Sequence, residues 1–248
     1  MRLRAAVNAA FTSAGQGLPS PHDLPLLPPR HFLGRLPRRH RSRSPPGVEP
    51  PEADYNIPPG SFVPILRRAP DGEYAPRHAI QVAPAFWGLV PVWWKQPLSE
   101  KKFSTFNARA EDIANSNTFS GAFRQSRCLI PASGFFAWSS GTPFAFALRT
   151  GAWFFFAGLW SRAMIDGSEF DTFAIVTCEP NLAVAGISTS MPVILSSEHY
   201  MRWLDLDDRD PHALLKPCPS DRLRAWPADP AVGNVRNQGP DLLGESDS

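Results

Sequence analysis

The chain has 248 residues, 43% of them hydrophobic and 11% aromatic, enough for one large packed domain or two small ones. Its formal net charge is +2 but unevenly placed: residues 1–48 hold eight arginines against one acid, Asp23, for a charge of +7, leaving 17 bases against 22 acids, or −5, in the rest. That excludes a broadly basic folded domain, so any attraction to nucleic acid must come from a local cluster or from the basic tail.

No apolar run approaches the ~18 residues of a membrane helix, and no apolar stretch follows the first arginines to make a secretory signal. Cys128, Cys178 and Cys218 lack paired metal spacing, which argues for a reducing compartment and against a disulfide framework. The expectations are a cytoplasmic, monomeric chain with no metal, cofactor or membrane partner.

Residues 1–54 read as a disordered Arg/Pro-rich tail, because prolines recurring from Pro19 to Pro51 remove backbone donors and break helix and sheet alike. Tyr55 to Gly60 is turn chemistry. A strand is expected over Phe62–Arg67 and a second over Ala79–Pro91, ending in a Trp-Gly turn. Ala108 to Asn117 reads as helical, with Ala110, Ile113 and Ala114 on one face and Glu111 and Asp112 early, where negative charge suits the helix dipole. Five β-rich runs follow: Arg127–Pro131, Phe135–Trp138, Phe144–Leu148, Trp153–Leu159 and Phe170–Val176. Ser196 is placed to cap a second helix and Asp210–Lys216 forms a third, stopped by Pro217. Strands interleaved with a few helices, without βαβ alternation, predict an α+β fold around an antiparallel sheet or barrel over residues 55–243, with a short tail at 244–248.

Four motifs stand out: Trp87-Gly88-Leu89-Val90-Pro91; Asn107-Ala108-Arg109-Ala110-Glu111; Arg127 to Pro131 running on to Gly134-Phe135-Phe136-Ala137-Trp138; and Ile187-Ser188-Thr189-Ser190-Met191-Pro192. In this order and spacing they resemble the SRAP family, the SOS response-associated peptidases or abasic-site processing proteins. The resemblance runs from about Tyr55 to Leu243. It implies an SRAP-like barrel with a cleft for single-stranded DNA containing abasic sites.

Members of that family open with Met-Cys-Gly-Arg, and loss of the Met leaves a terminal cysteine. Its amine condenses with the aldehyde of the abasic sugar, and its thiol closes a ring, giving a protein–DNA crosslink. A motif Asn orients the sugar, a Glu transfers protons and a His assists ring-opening. Asn107 matches the Asn. The Glu position reads Ala137 and the His position Ser188. The chain begins Met1-Arg2-Leu3-Arg4, and its first cysteine is Cys128. A methyl transfers no proton, so the resemblance points to a degenerate member that has lost crosslinking. A mis-started or frameshifted segment before Tyr55 would explain the tail. The rival readings are an active hydrolase or lyase on abasic DNA by altered chemistry, and a non-functional product of a decaying gene.

For DNA contact the resemblance nominates Trp87, Gly88 and Pro91 of the first motif, with Trp87 as a stacking platform or else core. Arg109 is nominated for a phosphate, or else for a pair with Glu111 or Asp112. Cys128, in an apolar run, is expected to be a small buried hydrophobe.

Overall fold

The computed structural model describes residues 4–6, 54–69, 79–97, 100–101, 104–165 and 168–244. Its centre is a closed five-stranded barrel. Strand β2 (Phe62–Arg68) pairs antiparallel with β3 (Ile80–Trp87) on one side and with β5 (Arg127–Ala132) on the other. β5 pairs with β8 (Phe154–Ile165), and β8 with β9 (Ser168–Cys178). β9 closes the ring by pairing parallel with β3 through Ala85–Asp171, Phe86–Thr172 and Trp87–Phe173. The α+β expectation of a sheet-barrel core with few helices holds.

The barrel strands are rich in Ile, Val, Phe and Ala because almost every residue on β5 and the later half of β9 is buried, and closure removes the free edges that would otherwise need protection. One polar cluster ties three of these strands: Arg67 on β2 donates from Nε and Nη2 to Asp171 Oδ2 on β9 at 2.9 and 2.6 Å, and Arg162 on β8 donates to Oδ1 at 3.0 Å. The Arg67 guanidinium also lies 4.2 Å from the ring centre of Trp160.

A second sheet packs beside the barrel in the order β1, β6, β7, β12, all antiparallel, with β1 Arg4–Ala6, β6 Gly134–Ser139, β7 Thr142–Leu148 and β12 Leu223–Pro227. Period-two alternation divides its side chains. Phe135, Ala137 and Phe146 belong to the main core, whereas Phe136 and Ala145 face a smaller cluster with Ala228, Val232 and Leu242. Phe135 and Phe146 stack with centroids 4.7 Å apart.

Three residues of the expected tail are described, and they form a strand. β1 (Arg4–Ala6) pairs with β6, Arg4 opposite Phe136 and Ala6 opposite Gly134. The unpaired edge of β6 supplies backbone donors and acceptors that reward three residues of an otherwise unfavourable composition. The rest of the expected tail, through 53, and residues 245–248 lie outside the described residues.

The helical expectation over Ala108–Asn117 fails. Asn107–Arg109 is a strand, β4, parallel to β9, and residues 110–115 form turns. The three apolar residues that suggested one helix face are too few: Ala110 and Ile113 are buried but Ala114 is exposed, and strand pairing overrides so weak a pattern. The helix of this region is α1 (Ser120–Gln125), which buries Phe123.

Ser196 precedes a single 3-10 turn and then α2 (Tyr200–Leu204), but its hydroxyl donates to Glu198 and contacts His199 instead of capping the backbone. The Asp210 carboxylate does accept from the Ala213 N–H, and the third expected helix is a 3-10 turn over Pro211–Leu214. The carbonyls at the end of α2 are held by two arginines: Arg127 donates to the carbonyls of Trp203 and Asp205, and Arg68 to that of Leu204.

Candidate functional site

Three of the four motifs converge on the C-terminal half of β9. β4 lies along one side of it, with Asn107 opposite Ile175 and Arg109 opposite Thr177. On the other side the two-residue strand β10 (Met191–Pro192) sets Met191 opposite Cys178 and Pro192 opposite Thr177. Thr177 therefore has Arg109 on one flank and Pro192 on the other, and the Ser188–Ser190 run enters immediately before it. The Ala110 N–H donates to the Thr177 carbonyl at 2.7 Å, fixing where β4 leaves the sheet.

Ala108 points into the core, so Asn107 and Arg109, one residue to either side, share the opposite face. The Asn107 Oδ1 is buried and has no hydrogen-bond partner among the described residues. A buried amide oxygen without a donor carries a desolvation cost of about 1–3 kcal/mol, which a ligand bringing a hydroxyl or N–H would relieve. Arg109 pairs with Glu111 at 3.3 Å, with the two side chains 56% and 45% exposed. Exposed pairs of this kind contribute about 0–1 kcal/mol, so a phosphate can compete for the guanidinium.

Ala137 and Ser188 are both held by their surroundings. Ala137 is 1% exposed on β6, its methyl in the main core beside Phe135. Arg4, at the start of β1, lies opposite Phe136, one residue from Ala137, so the N-terminal strand runs beside that position. Ser188 donates its hydroxyl to the Ser190 carbonyl at 2.9 Å and accepts weakly from the Ser190 N–H, a local turn.

The first motif is packed into the interior. Trp87 is 1% exposed, stacks on Phe173 at 6.0 Å and donates its Nε1–H to the Phe106 carbonyl at 2.9 Å. No base can reach it, because the β3–β9 pairing places it inside the barrel wall. Gly88 and Pro91 are also buried. Gly88 sits at φ +148° with Phe86 and Phe106 within 3.1–3.2 Å of where a Cβ would stand, so only glycine turns the chain there.

The loop's exposed ring is Trp93, at 53%, its Nε1–H donating to the Asn117 carbonyl. Composition gave no means to rank Trp93 above Trp87; only an exposed position past a buried Pro91 separates them. Lys101 was also missed. It is held to Thr105 at 2.8 Å two residues before Asn107.

The thiols are out of reach. All three cysteines are buried. Burial pushes Cys128 well above the usual thiol range, Cys178 up to about 12, and Cys218 upward as well. Among the described residues there is no group of three or more His, Cys, Asp or Glu that could hold a metal, and no helix long and apolar enough to cross a membrane.

Against known proteins, the profile of the family described as SOS response associated peptidase (SRAP) matches residues 34–235, beginning upstream of the Tyr55 boundary expected from the motifs. The chain is 30% identical over 201 residues to the abasic site processing protein YoqW of Bacillus subtilis, across 70% of this chain and 88% of that one. It is 28% identical over 201 residues to the abasic site processing protein YedK of Escherichia coli, across 78% and 85%. A crystal structure of a protein from Bacteroides thetaiotaomicron superposes with a TM-score of 0.67 at 24% identity, covering 78% of this chain and 85% of the other, and so shares the fold. With the barrel, the four motifs and the profile in agreement, this chain belongs to the SRAP family.

Proposed function

We propose that the chain binds single-stranded DNA at abasic sites across the face shared by Asn107 and Arg109, and that it no longer forms the ring-closed crosslink. The observation that carries the binding half is the buried Asn107 Oδ1 without a donor, on a strand whose neighbour Arg109 is held only by an exposed pair. A ring-opened abasic sugar offers hydroxyls to the first and its phosphates suit the second. Trp93 extends this surface with an exposed indole on which a flanking base can stack. The relatives named above are abasic site processing proteins, which supports the same class of ligand here.

The loss of crosslinking is supported by what stands at the other positions. Ala137 supplies a methyl where a proton donor is needed, and Ser188 spends its hydroxyl on Ser190. None of the three thiols is exposed or ionised near neutral pH, so no cysteine of the chain can close a ring onto an imine.

The test is an electrophoretic assay with the full chain and a labelled single-stranded oligonucleotide carrying one abasic site. The expected result is a complex on a native gel, favouring the abasic over the intact strand, that vanishes after boiling without reductant. A band that survives boiling without reductant overturns the loss of crosslinking. Equal, undetectable binding to both strands overturns the site.

A further inference from the structure

Lysine is scarce in this chain: four residues against 21 arginines. Three of the four, Lys95, Lys101 and Lys102, fall in the short connection between the Trp-Gly motif and Asn107. The distinction matters beside an aldehyde, because an ammonium can lose its proton and attack a carbonyl, whereas a guanidinium stays charged.

Lys101 is the half-buried one whose surroundings are described. Its Nζ donates to Thr105 Oγ1 at 2.8 Å. Thr105 is fully buried, and its carbonyl accepts from the Leu89 N–H at 3.2 Å, so the amine is held beside the first motif, on a residue two positions before Asn107. Burial lowers the Lys101 pKa from its ordinary value, enlarging the neutral, nucleophilic fraction.

From this anchoring we infer that Lys101 is an imine-forming nucleophile toward ring-opened abasic deoxyribose in a DNA strand, making the chain a lyase in place of a crosslinker. The inference rests on the reading of the Asn107 face as an abasic-DNA site.

The neutral Nζ attacks C1′ of the open-chain aldehyde. Proton transfer and loss of one water leave a protonated C=N bond where the C=O stood. That iminium withdraws electrons from C2′, a C2′ proton passes to solvent, and the C3′–O bond breaks with its electron pair departing on the 3′ phosphate. One water then adds to the iminium and releases Lys101 and an unsaturated aldehyde on the 5′ fragment. The water lost on condensation is regained on hydrolysis, and nothing is oxidised or reduced.

The experiment incubates the full chain with a 5′-labelled abasic oligonucleotide, with and without sodium borohydride, and measures binding of the same strand by anisotropy. The wild type is expected to give a borohydride-dependent adduct and a nicked strand, with peptide mapping placing the reduced sugar on Lys101. K101R keeps the charge but not the nucleophile, and should lose both products by about tenfold or more while binding holds. K95R, at an exposed position, should leave both unchanged. An adduct that persists in K101R, or that maps to the N-terminal amine, overturns the assignment. Binding without adduct or nick in the wild type sinks the lyase step alone. Absence of binding sinks the underlying site as well.

Discussion

The indole of Trp87 lies 14° from parallel with the ring of Phe173, centroids 6.0 Å apart, on strands that pair in parallel to close the barrel. Its one polar atom is spent on the Phe106 carbonyl. The most recognisable aromatic of the first motif is therefore a wall of the core, while Trp93, six residues on, is the exposed indole of the loop.

Trp87→Ala should therefore act on stability. Removing a fully buried indole from a packed wall should cost about 3–5 kcal/mol, read in a urea melt. Trp93→Ala should leave the melt in place and weaken abasic-strand binding by about 1–3 kcal/mol, the worth of one stacked base. The reverse pattern would put the DNA on the other side of the loop.

Arg109→Ala should be nearly silent in stability, within about 0.5 kcal/mol, because both it and its partner Glu111 are exposed. Binding should weaken, and the log–log salt slope should fall by about 0.7 if one phosphate contact is lost. An unchanged slope would leave Arg109 as a surface pair and nothing more.

Asn56 should behave as a staple. Its side-chain amide is shared among the carbonyls of Val232, Asn234 and Asn237 at 3.0–3.2 Å, and Gln238 returns a bond to the Asn56 carbonyl. Asn56→Ala strips a buried donor from these acceptors and should cost about 1–3 kcal/mol. Limited proteolysis should then cut first within residues 230–244. A variant as stable and as resistant as the parent would contradict this.

The cysteines make a pH prediction. The folded state holds the Cys178 proton more tightly than the unfolded chain, about 12 against 9.0. The stability this contributes is fully present below the unfolded value and is lost as pH rises through the folded one, so the urea midpoint should fall between pH 9.0 and about 12. Cys128 and Cys218, also raised by burial, add in the same direction. At pH 8 a thiol reagent should label none of the three in the native protein and all of them in denaturant. Rapid native labelling of any one would show an accessible thiol and weaken the case against ring closure.

Much of the fold was legible in the residues themselves. Apolar runs such as Phe154 to Leu159 and Phe173 to Val176 announce buried strands because a strand inside a barrel wall has little or no solvent face, and the motifs identified the family. The apolar run Cys128-Leu129-Ile130 also marked one cysteine as a buried hydrophobe, whereas the burial of Cys178 and Cys218 came only from the fold. Tertiary structure decided the rest. Asn107–Arg109 is a strand because β9 offered it an unpaired edge, which local propensity does not register. Arg4–Ala6 is ordered because β6 had an edge to fill. Trp87 and Trp93 differ only in which side of the Pro91 turn they fall, a matter of pairing between segments some 85 residues apart. The same long-range closure buries the Asn107 oxygen and Thr105, because burial belongs to the closed barrel and not to any short stretch of its sequence.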